Sequence, residues 1–327
     1  MASEMCAIGI DLGGSKIEVA LVDRMGVVIK RRRLATDVVG GPEAIAGQIV
    51  GGVKELLEDE ALSAIGVGVG VAGQIELNTG LVHFAPNLGW HEVQFQSMLS
   101  EALGFPSVIT NDVRAATWGE WLFGAGKGCD DLICVFVGTG IGGGVVSGGR
   151  MISGCGNTAG ELGHITVSLH GPDCTCGNQG CMEALAGGWA IARRARSAAR
   201  GIPATAAVLL EMAGGRPEDI STQMVAEAYR RNDPLACRLL DEAAEALVAG
   251  AVTLVNAFNP RRLILGGGVI QGLPELVDRV DQGVRQRALR AATTPLEISI
   301  SELGNEAGVI GAAALAMRFF SDDVEIG

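Results

Sequence analysis

The sequence is short of positive charge: 25 lysines and arginines face 37 aspartates and glutamates, for a formal net charge of −12. Nucleic acid and anionic membranes are bound through basic patches, so both are poor partners for this chain, although a local anion site is not excluded. Signal-peptide features are also scarce at the start. The N-terminal stretch MASEMCAIGIDLGG has no basic start and its short apolar run meets Asp11 at once, so no secretory signal is expected and the cytoplasm is the expected compartment. No long apolar span is present either. The longest uncharged run, Leu132 to Gly149, carries seven glycines in eighteen residues, which argues against a membrane-crossing helix. Eight cysteines in a chain of this size and compartment favour thiols and metal ligation over a disulfide framework.

What is present suits a folded α/β protein. At 327 residues the chain is long for one typical core and fits two domains or one large α/β unit, and its 48% apolar share can fill both. The 49 glycines are spread through apolar stretches, not gathered into low-complexity tracts, which points to close backbone approach to ligands or tight packing. The first 35 residues read strand, turn, strand, turn, strand: CAIGIDL, GGSK, IEVALVD, RMG, VVIKRRRLA. The spacing of Ile45, Ile49, Val53, Leu56 and Leu57 predicts a helix over Glu43 to Leu57, opened by Gly41-Pro42. There follow a glycine-alternating strand, AIGVGVGVAG, a hairpin around Asn78-Thr79-Gly80, a helix from Glu92 to Leu103, and a strand from Pro106 to Thr110. At Asp131 the opening pattern begins again, as DLICVFV, GTGIGGG and VVSGGRMI repeat strand, glycine-rich turn, strand, small turn, strand. Two copies of a hairpin-led α/β unit imply two similar domains facing a cleft. Beyond the second copy lie an apolar-striped helix from Leu235 to Phe258, the strand RRLILGGG, and a last helix near Gly308 to Phe320.

Four stretches carry candidate chemistry. The turn Asp11-Leu12-Gly13-Gly14-Ser15-Lys16 joins two strands, so it is not a Walker loop, which opens a helix. Its glycines let backbone N–H groups converge on a phosphate; Asp11 could hold hydrated Mg²⁺, and Ser15 or Lys16 could touch phosphate oxygens. A plain tight hairpin is the alternative. The echo in Gly138-Thr139-Gly140-Ile141-Gly142-Gly143-Gly144 favours phosphate, since two such hairpins could clamp a triphosphate from both sides. Asn111-Asp112 ends a strand, where an aspartate can accept a proton from a substrate hydroxyl; the competing role is a helix N-cap for Val113 to Phe123. The densest signal is Cys174-Thr175-Cys176-Gly177-Asn178-Gln179-Gly180-Cys181. Three thiols cannot all pair with one another, and structural zinc takes four ligands. His164, in Gly160-Glu161-Leu162-Gly163-His164, would complete a Cys₃His set; His170 lies closer to Cys174 and competes for the same place. Buried free thiols are the plainer alternative. Cys6, Cys129, Cys134, Cys155 and Cys237 are scattered, and most are expected to be small buried hydrophobes.

Together GIDLGGSK, PNLGW (Pro86 to Trp90), ITNDVRAA (Ile109 to Ala116), GTGIGGG, GELGH, CTCGNQGCME and LILGGG resemble the ROK family (repressors, open reading frames and kinases) over nearly the whole chain. The resemblance implies a duplicated actin-like, hexokinase-type α/β fold, two α/β domains with mixed sheets flanking a cleft. It places residues 1–113 with about 309–327 in a smaller N-terminal domain holding the first phosphate hairpin. Residues 114–308 form a larger domain with the second hairpin, the zinc loop and an adenosine motif. It further implies ATP-dependent phosphorylation of a hexose 6-hydroxyl, with Asp112 as the base and Mg²⁺ on the nucleotide. Asn87, Asn111, Asp112, Glu161, His164 and Glu183 look like the sugar ligands. The nucleotide ligands correspond to Asp11, Gly13, Gly14, Ser15 and Lys16, to Gly138, Thr139, Gly140, Gly142 and Gly143, and to Gly266, Gly267 and Gly268. By the same resemblance His164 is the fourth ligand, beside Cys174, Cys176 and Cys181, of a structural zinc that orients the sugar-binding acids without touching the phosphates. Ser15 stands where the family commonly has threonine. A homo-oligomer, dimer or tetramer, is expected.

The family also contains sugar-responsive repressors, which carry a helix-turn-helix ahead of the first hairpin; only ten residues precede Asp11 here, and the acidic charge agrees with a kinase. Retention of the candidate base and both hairpins argues against a non-catalytic sugar sensor. The pattern looks most like glucokinases, while N-acetylmannosamine, N-acetylglucosamine, fructose and allose kinases share its core, and ATP is the expected donor with polyphosphate as the alternative.

Overall fold

A computed structural model describes residues 5–58, 63–76 and 78–321. Residues 1–4 and 322–327, expected in the first domain, and Leu77 of the expected hairpin lie outside the described residues.

The chain opens with β1 (Cys6–Leu12), β2 (Lys16–Asp23) and β3 (Val28–Ala35), an antiparallel meander at the residues the alternation predicts. Next come α1 (Gly41–Leu56) and β4 (Ala64–Val71), which lies parallel to β1. Three short strands, β5 (Gln74–Ile75), β6 (Val82–Ala85) and β7 (Trp90–Val93), make a small sheet of their own. They are followed by α2 (Phe95–Leu103), β8 (Ser107–Asn111), parallel to β4, and α3 (Asp112–Phe123). The helix expected from Glu92 therefore starts three residues later. Ala85 and Phe84 of β6 pair with Trp90 and His91, and the pairing continues to Val82 with Val93, so the chain stays extended through Glu92 and the helix begins only beyond it.

The second copy begins with β9 (Leu132–Val137), β10 (Ile141–Ser147) and β11 (Arg150–Met151). Then follow α4 (Met182–Ala186), α5 (Gly188–Gly201), α6 (Ala207–Met212), α7 (Thr222–Arg230) and α8 (Pro234–Phe258). The chain continues through β12 (Arg262–Gly266), α9 (Gly268–Gly272), α10 (Glu275–Arg287), α11 (Arg290–Thr293) and β13 (Glu297–Ile300) to α12 (Ala307–Phe320). Sheet order shows the duplication: β3-β2-β1-β4-β8 in one five-stranded sheet and β11-β10-β9-β12-β13 in the other. In each, a hairpin leads and two parallel strands extend the far side. The chain divides into two compact units, one of Met1–Cys129, Gly149–Gly160 and Glu302–Gly327, the other of Asp130–Gly148 and Glu161–Ser301.

Local chemistry explains the longest helix. Asp233 caps α8 by accepting from the Ala236 N–H at 2.9 Å, Pro234 fills the first turn, and Asn259 in the left-handed region (φ 48°) stops it. In the first unit the glycines of β4 serve packing. A Cβ on Gly68 would lie 1.8 Å from the Ala312 carbonyl oxygen of α12, and one on Gly9 of β1 would lie 1.8 Å from that of Val309. The crossing of α12 with α3 is equally tight, for a Cβ on Gly311 would stand 1.7 Å from the Ala115 oxygen. Below α3, the buried carboxylate of Glu120 accepts from the N–H groups of Ala125, Glu302 and Leu303 at 2.8–3.1 Å and so holds the entry to α12.

Gly68→Ala is therefore expected to displace α12 and cost about 1–3 kcal/mol. Gly47→Ala, on an open face of α1 with nothing within 4 Å of the new carbon, should instead stabilise by about 0.5–1 kcal/mol. Chemical denaturation of both variants checks the pair; equal midpoints would remove the packing argument.

Candidate functional site

The cysteine loop is held by short backbone bonds. Cys174 N–H donates to the Asn178 carbonyl at 2.9 Å and Gly177 N–H to that of Cys174 at 3.1 Å, while Thr166 and Cys181 form an isolated antiparallel bridge. Gly177 (φ 89°) and Gly180 (φ 72°) make the two left-handed turns that fold the thiols inward. His164 closes a one-turn helix, Leu162–His164, that packs on β10 through two glycines: a Cβ on Gly163 would be 2.1 Å from the Ile141 oxygen, and one on Gly143 would be 2.8 Å from Leu162 Cδ1.

These elements bring His164, Cys174, Cys176 and Cys181 together, with one ligand atom from each lying within 4.8 Å of the others. Cys174 Sγ is 3.7 Å from His164 Nδ1, and Cys176 Sγ is 3.7 Å from Cys181 Sγ. Donors bound to one tetrahedral zinc at about 2.0–2.3 Å lie about 3.3–3.8 Å apart, so the donor set fits that ion in type, and these two separations match it. His170 is exposed and is not part of the group. Burial, reinforced by the neighbouring Cys176 and Cys174, pushes the Cys181 thiol up to about 12, whereas the Asn178 backbone N–H draws the Cys176 thiol down. Of the scattered cysteines, Cys6, Cys129 and Cys134 are buried, Cys237 is half-buried and Cys155 is exposed.

Two residues beyond the loop, Glu183 lies in the first turn of α4 and is 9% exposed. Its Oε2 accepts from the Ile141 N–H at 2.7 Å and its Oε1 from Trp189 Nε1–H at 3.1 Å. Ile141 begins β10. Of the glycine-rich run expected as a turn, only Gly138-Thr139-Gly140 forms it; Gly142, Gly143 and Gly144 lie within β10, paired with Phe136, Val135 and Cys134. Gly138 and Thr139 line a cavity of about 670 Å³, with Gly268 of α9, Trp189 and Arg196 of α5, and Thr222 and Arg230 of α7. Gly266 ends β12, and Gly267 takes a left-handed turn (φ 88°) where a Cβ would lie 2.5 Å from the Val137 oxygen. Apart from Gly268, which ends the LILGGG stretch, the helix residues of this cavity carry no motif. They come from α5, α7 and α9, and only their facing one space marks them.

In the first unit, Gly13 N–H donates to the Lys16 carbonyl at 3.0 Å to close the β1–β2 turn, and Thr36 Oγ1 holds the Gly13 carbonyl at 2.7 Å. Asn87 lies on a one-turn helix, Pro86–Leu88; a Cβ on Gly14 would be 2.5 Å from its carbonyl oxygen. Ser15 is exposed, and Lys16 reaches Glu18 at 3.5 Å. Helix α3 is capped by Asn111, whose Oδ1 accepts from Val113 and Arg114 N–H at 3.1 and 3.2 Å while its Nδ2 donates to the Gly73 carbonyl. Capping thus falls to Asn111, and Asp112 is the first helical residue, at the positive end of the helix dipole. Arg114, 5% exposed, clasps the Ser153–Ala159 stretch through Ser153 Oγ, Asn157 Oδ1 and the Ala159 carbonyl. Glu161 is exposed at the start of its turn, and its carbonyl accepts from His164 N–H.

The ROK family model matches residues 7–318. This chain belongs to the ROK family. The glucokinase of Streptomyces coelicolor is similar at 35% identity over 94% of this chain and 96% of that protein. Among solved structures, a ROK family glucokinase from Streptomyces griseus in complex with glucose and AMPPNP superposes with a TM-score of 0.81, at 36% identity over 96% of this chain and 99% of that one. A ROK hexokinase from Thermus thermophilus gives 0.83 at 32% identity, over 96% of this chain and 100% of that one. The duplicated sheets described above are the family's actin-like, hexokinase-type fold. No helix among the described residues is long and apolar enough to cross a membrane.

Asp11, at the end of β1, has its carboxyl raised above the ordinary 3.8, by burial first, with Lys16 opposing and Glu18 adding to the rise. A raised folded-state value means the carboxyl's contribution to stability is intact below the ordinary value and is lost as pH climbs through the raised one. Asp11→Asn should accordingly raise the melting temperature of ligand-free protein at pH 7 by about 1–3 °C, the gain narrowing toward pH 4. Scanning calorimetry at the two pH values tests this, and a variant less stable at pH 7 contradicts it.

Proposed function

We propose that this protein is a hexose kinase that transfers the γ-phosphoryl group of ATP to the 6-hydroxyl of glucose. The observation that carries the reading is that Gly138 and Thr139 of the glycine-rich turn line a cavity of about 670 Å³, a nucleotide-sized space, in a chain similar to glucokinases over almost its full length. Glucose is preferred over N-acetylated or other hexoses on that similarity, and ATP over polyphosphate on the cavity.

Phosphoryl transfer demands positioning and charge neutralisation more than covalent chemistry. The turns at Gly13–Lys16 and Gly138–Gly140 offer backbone N–H groups to the phosphates, with Lys16 adding a cation. Asp112 takes the proton of the attacking hydroxyl. Asn87, Asn111, Glu161, His164 and Glu183 orient the sugar. Asn111 has its amide oxygen and one N–H in use, so it can offer one further N–H to the sugar. Glu183 accepts two bonds already and has capacity for about two more. When bound, Mg²⁺ at Asp11 would neutralise phosphate charge, and zinc on His164, Cys174, Cys176 and Cys181 would rigidify the loop that presents His164 and Glu183.

A panel of hexoses against ATP and polyphosphate should give the highest kcat/KM for glucose with ATP; a preferred sugar bearing an acetamide, or a preference for polyphosphate, rejects that assignment. Asp112→Asn should lower kcat by about 10²–10⁴-fold while calorimetric affinities for glucose and AMPPNP change little. Activity within a few-fold of wild type would remove Asp112 as the base.

A further inference from the structure

Trp189 is in contact with both the metal loop and the nucleotide turn. Its ring packs on the small cluster formed by Cys174, Cys181 and Ala184, and its Nε1–H donates to Glu183 at 3.1 Å. Its backbone N–H donates to the Thr139 carbonyl at 2.9 Å, and the N–H of Gly188 does the same for Gly138 at 2.9 Å. Glu183 completes the circuit by accepting from Ile141 N–H, so all four residues from Gly138 to Ile141 are bounded by this one segment. The fit explains Gly140, where a Cβ would stand 2.4 Å from Glu183 Oε2. A second strut runs outside. Arg193 lies 4.5 Å over the Trp189 ring and donates to the carbonyl of Asp173, the residue before Cys174, at 3.1 Å.

We infer that Trp189, Glu183 and Arg193 are positioning residues that couple the metal loop to the donor-phosphate turn, so that ordering of the loop tightens nucleotide binding as well as sugar binding. This rests on reading Gly138–Gly140 as the donor-phosphate turn. It extends the simpler expectation that the metal serves the sugar alone. The physical reason is that a hydrogen bond to a backbone N–H fixes a turn only if its acceptor is itself fixed. Glu183 is two residues from Cys181, and its other oxygen is held by the Trp189 indole, which packs against the cluster of Cys174, Cys181 and Ala184.

The test uses metal-loaded protein. Arg193→Ala removes the exposed strut without touching Glu183, and Trp189→Phe keeps the ring while deleting the Nε1–H donor. Each should raise the calorimetric Kd for AMPPNP by about 3- to 10-fold, with one zinc per chain by elemental analysis and an unaltered circular dichroism spectrum. For Arg193→Ala, the Kd for glucose should stay within about 2-fold. Chelating the metal from wild type should weaken AMPPNP binding to a similar extent, and by less in either variant, because the coupling is already lost. An unchanged AMPPNP Kd in both variants, or additive effects of variant and chelation, overturns the inference while leaving the donor site in place. Failure of wild type to bind AMPPNP overturns the donor site and the inference together.

Discussion

In the first unit everything depends on backbone approaching backbone. Helix α12 lies so close to β1, β4 and α3 that Gly9, Gly68 and Gly311 have carbonyl oxygens where a side chain would begin. Interiors are packed at crystal density, so a single methyl at any of these places has nowhere to go. The consequence for chemistry is direct. Helix α3 carries Asp112 at its first turn, and its distance from β4 is set by Gly70, where a Cβ would be 3.2 Å from Asp112 Cα.

The second unit uses the same device with a different partner. Here a carboxylate, not a carbonyl, occupies the space glycine leaves: Glu183 lies against Gly140 and takes the N–H of the next residue. A phosphate-binding turn must keep its amides aimed without side-chain obstruction, and such a turn is floppy unless something behind it is rigid. The cysteine loop lies next to this turn in the fold, joined to it through Glu183 and Trp189, and its four donors gather within 4.8 Å. Among the described residues, buried charge in this protein is consistently anchored. Glu120 takes three backbone N–H groups, Glu18 faces Arg33 and Lys16, and Arg114 spends its guanidinium on one loop.

The sequence by itself determined the strand meander and its repeat, since alternation and glycine-rich turns are local signals. It determined the long helix from its apolar stripe, and marked the three clustered cysteines as candidate ligands by their spacing. It did not separate turn from strand in GTGIGGG, because glycine is compatible with both and pairing with Val135 and Phe136 decides. Nor did it separate strand from helix at Glu92, where pairing with β6 overrode the local pattern.

The tertiary structure decided the rest. Spacing alone left His164 and His170 open; the structure gathers His164 with the cysteines, on a helical turn that Gly163 and Gly143 let sit on β10. The division of labour between Asn111 as cap and Asp112 as first helical residue depended on where the helix starts in space. The walls of the cavity come from helices far apart in the chain, and Glu183 meets an amide 42 residues away. A backbone N–H has no residue identity to betray its partner. Contacts made to it are therefore invisible in sequence and appear only once the chain has folded.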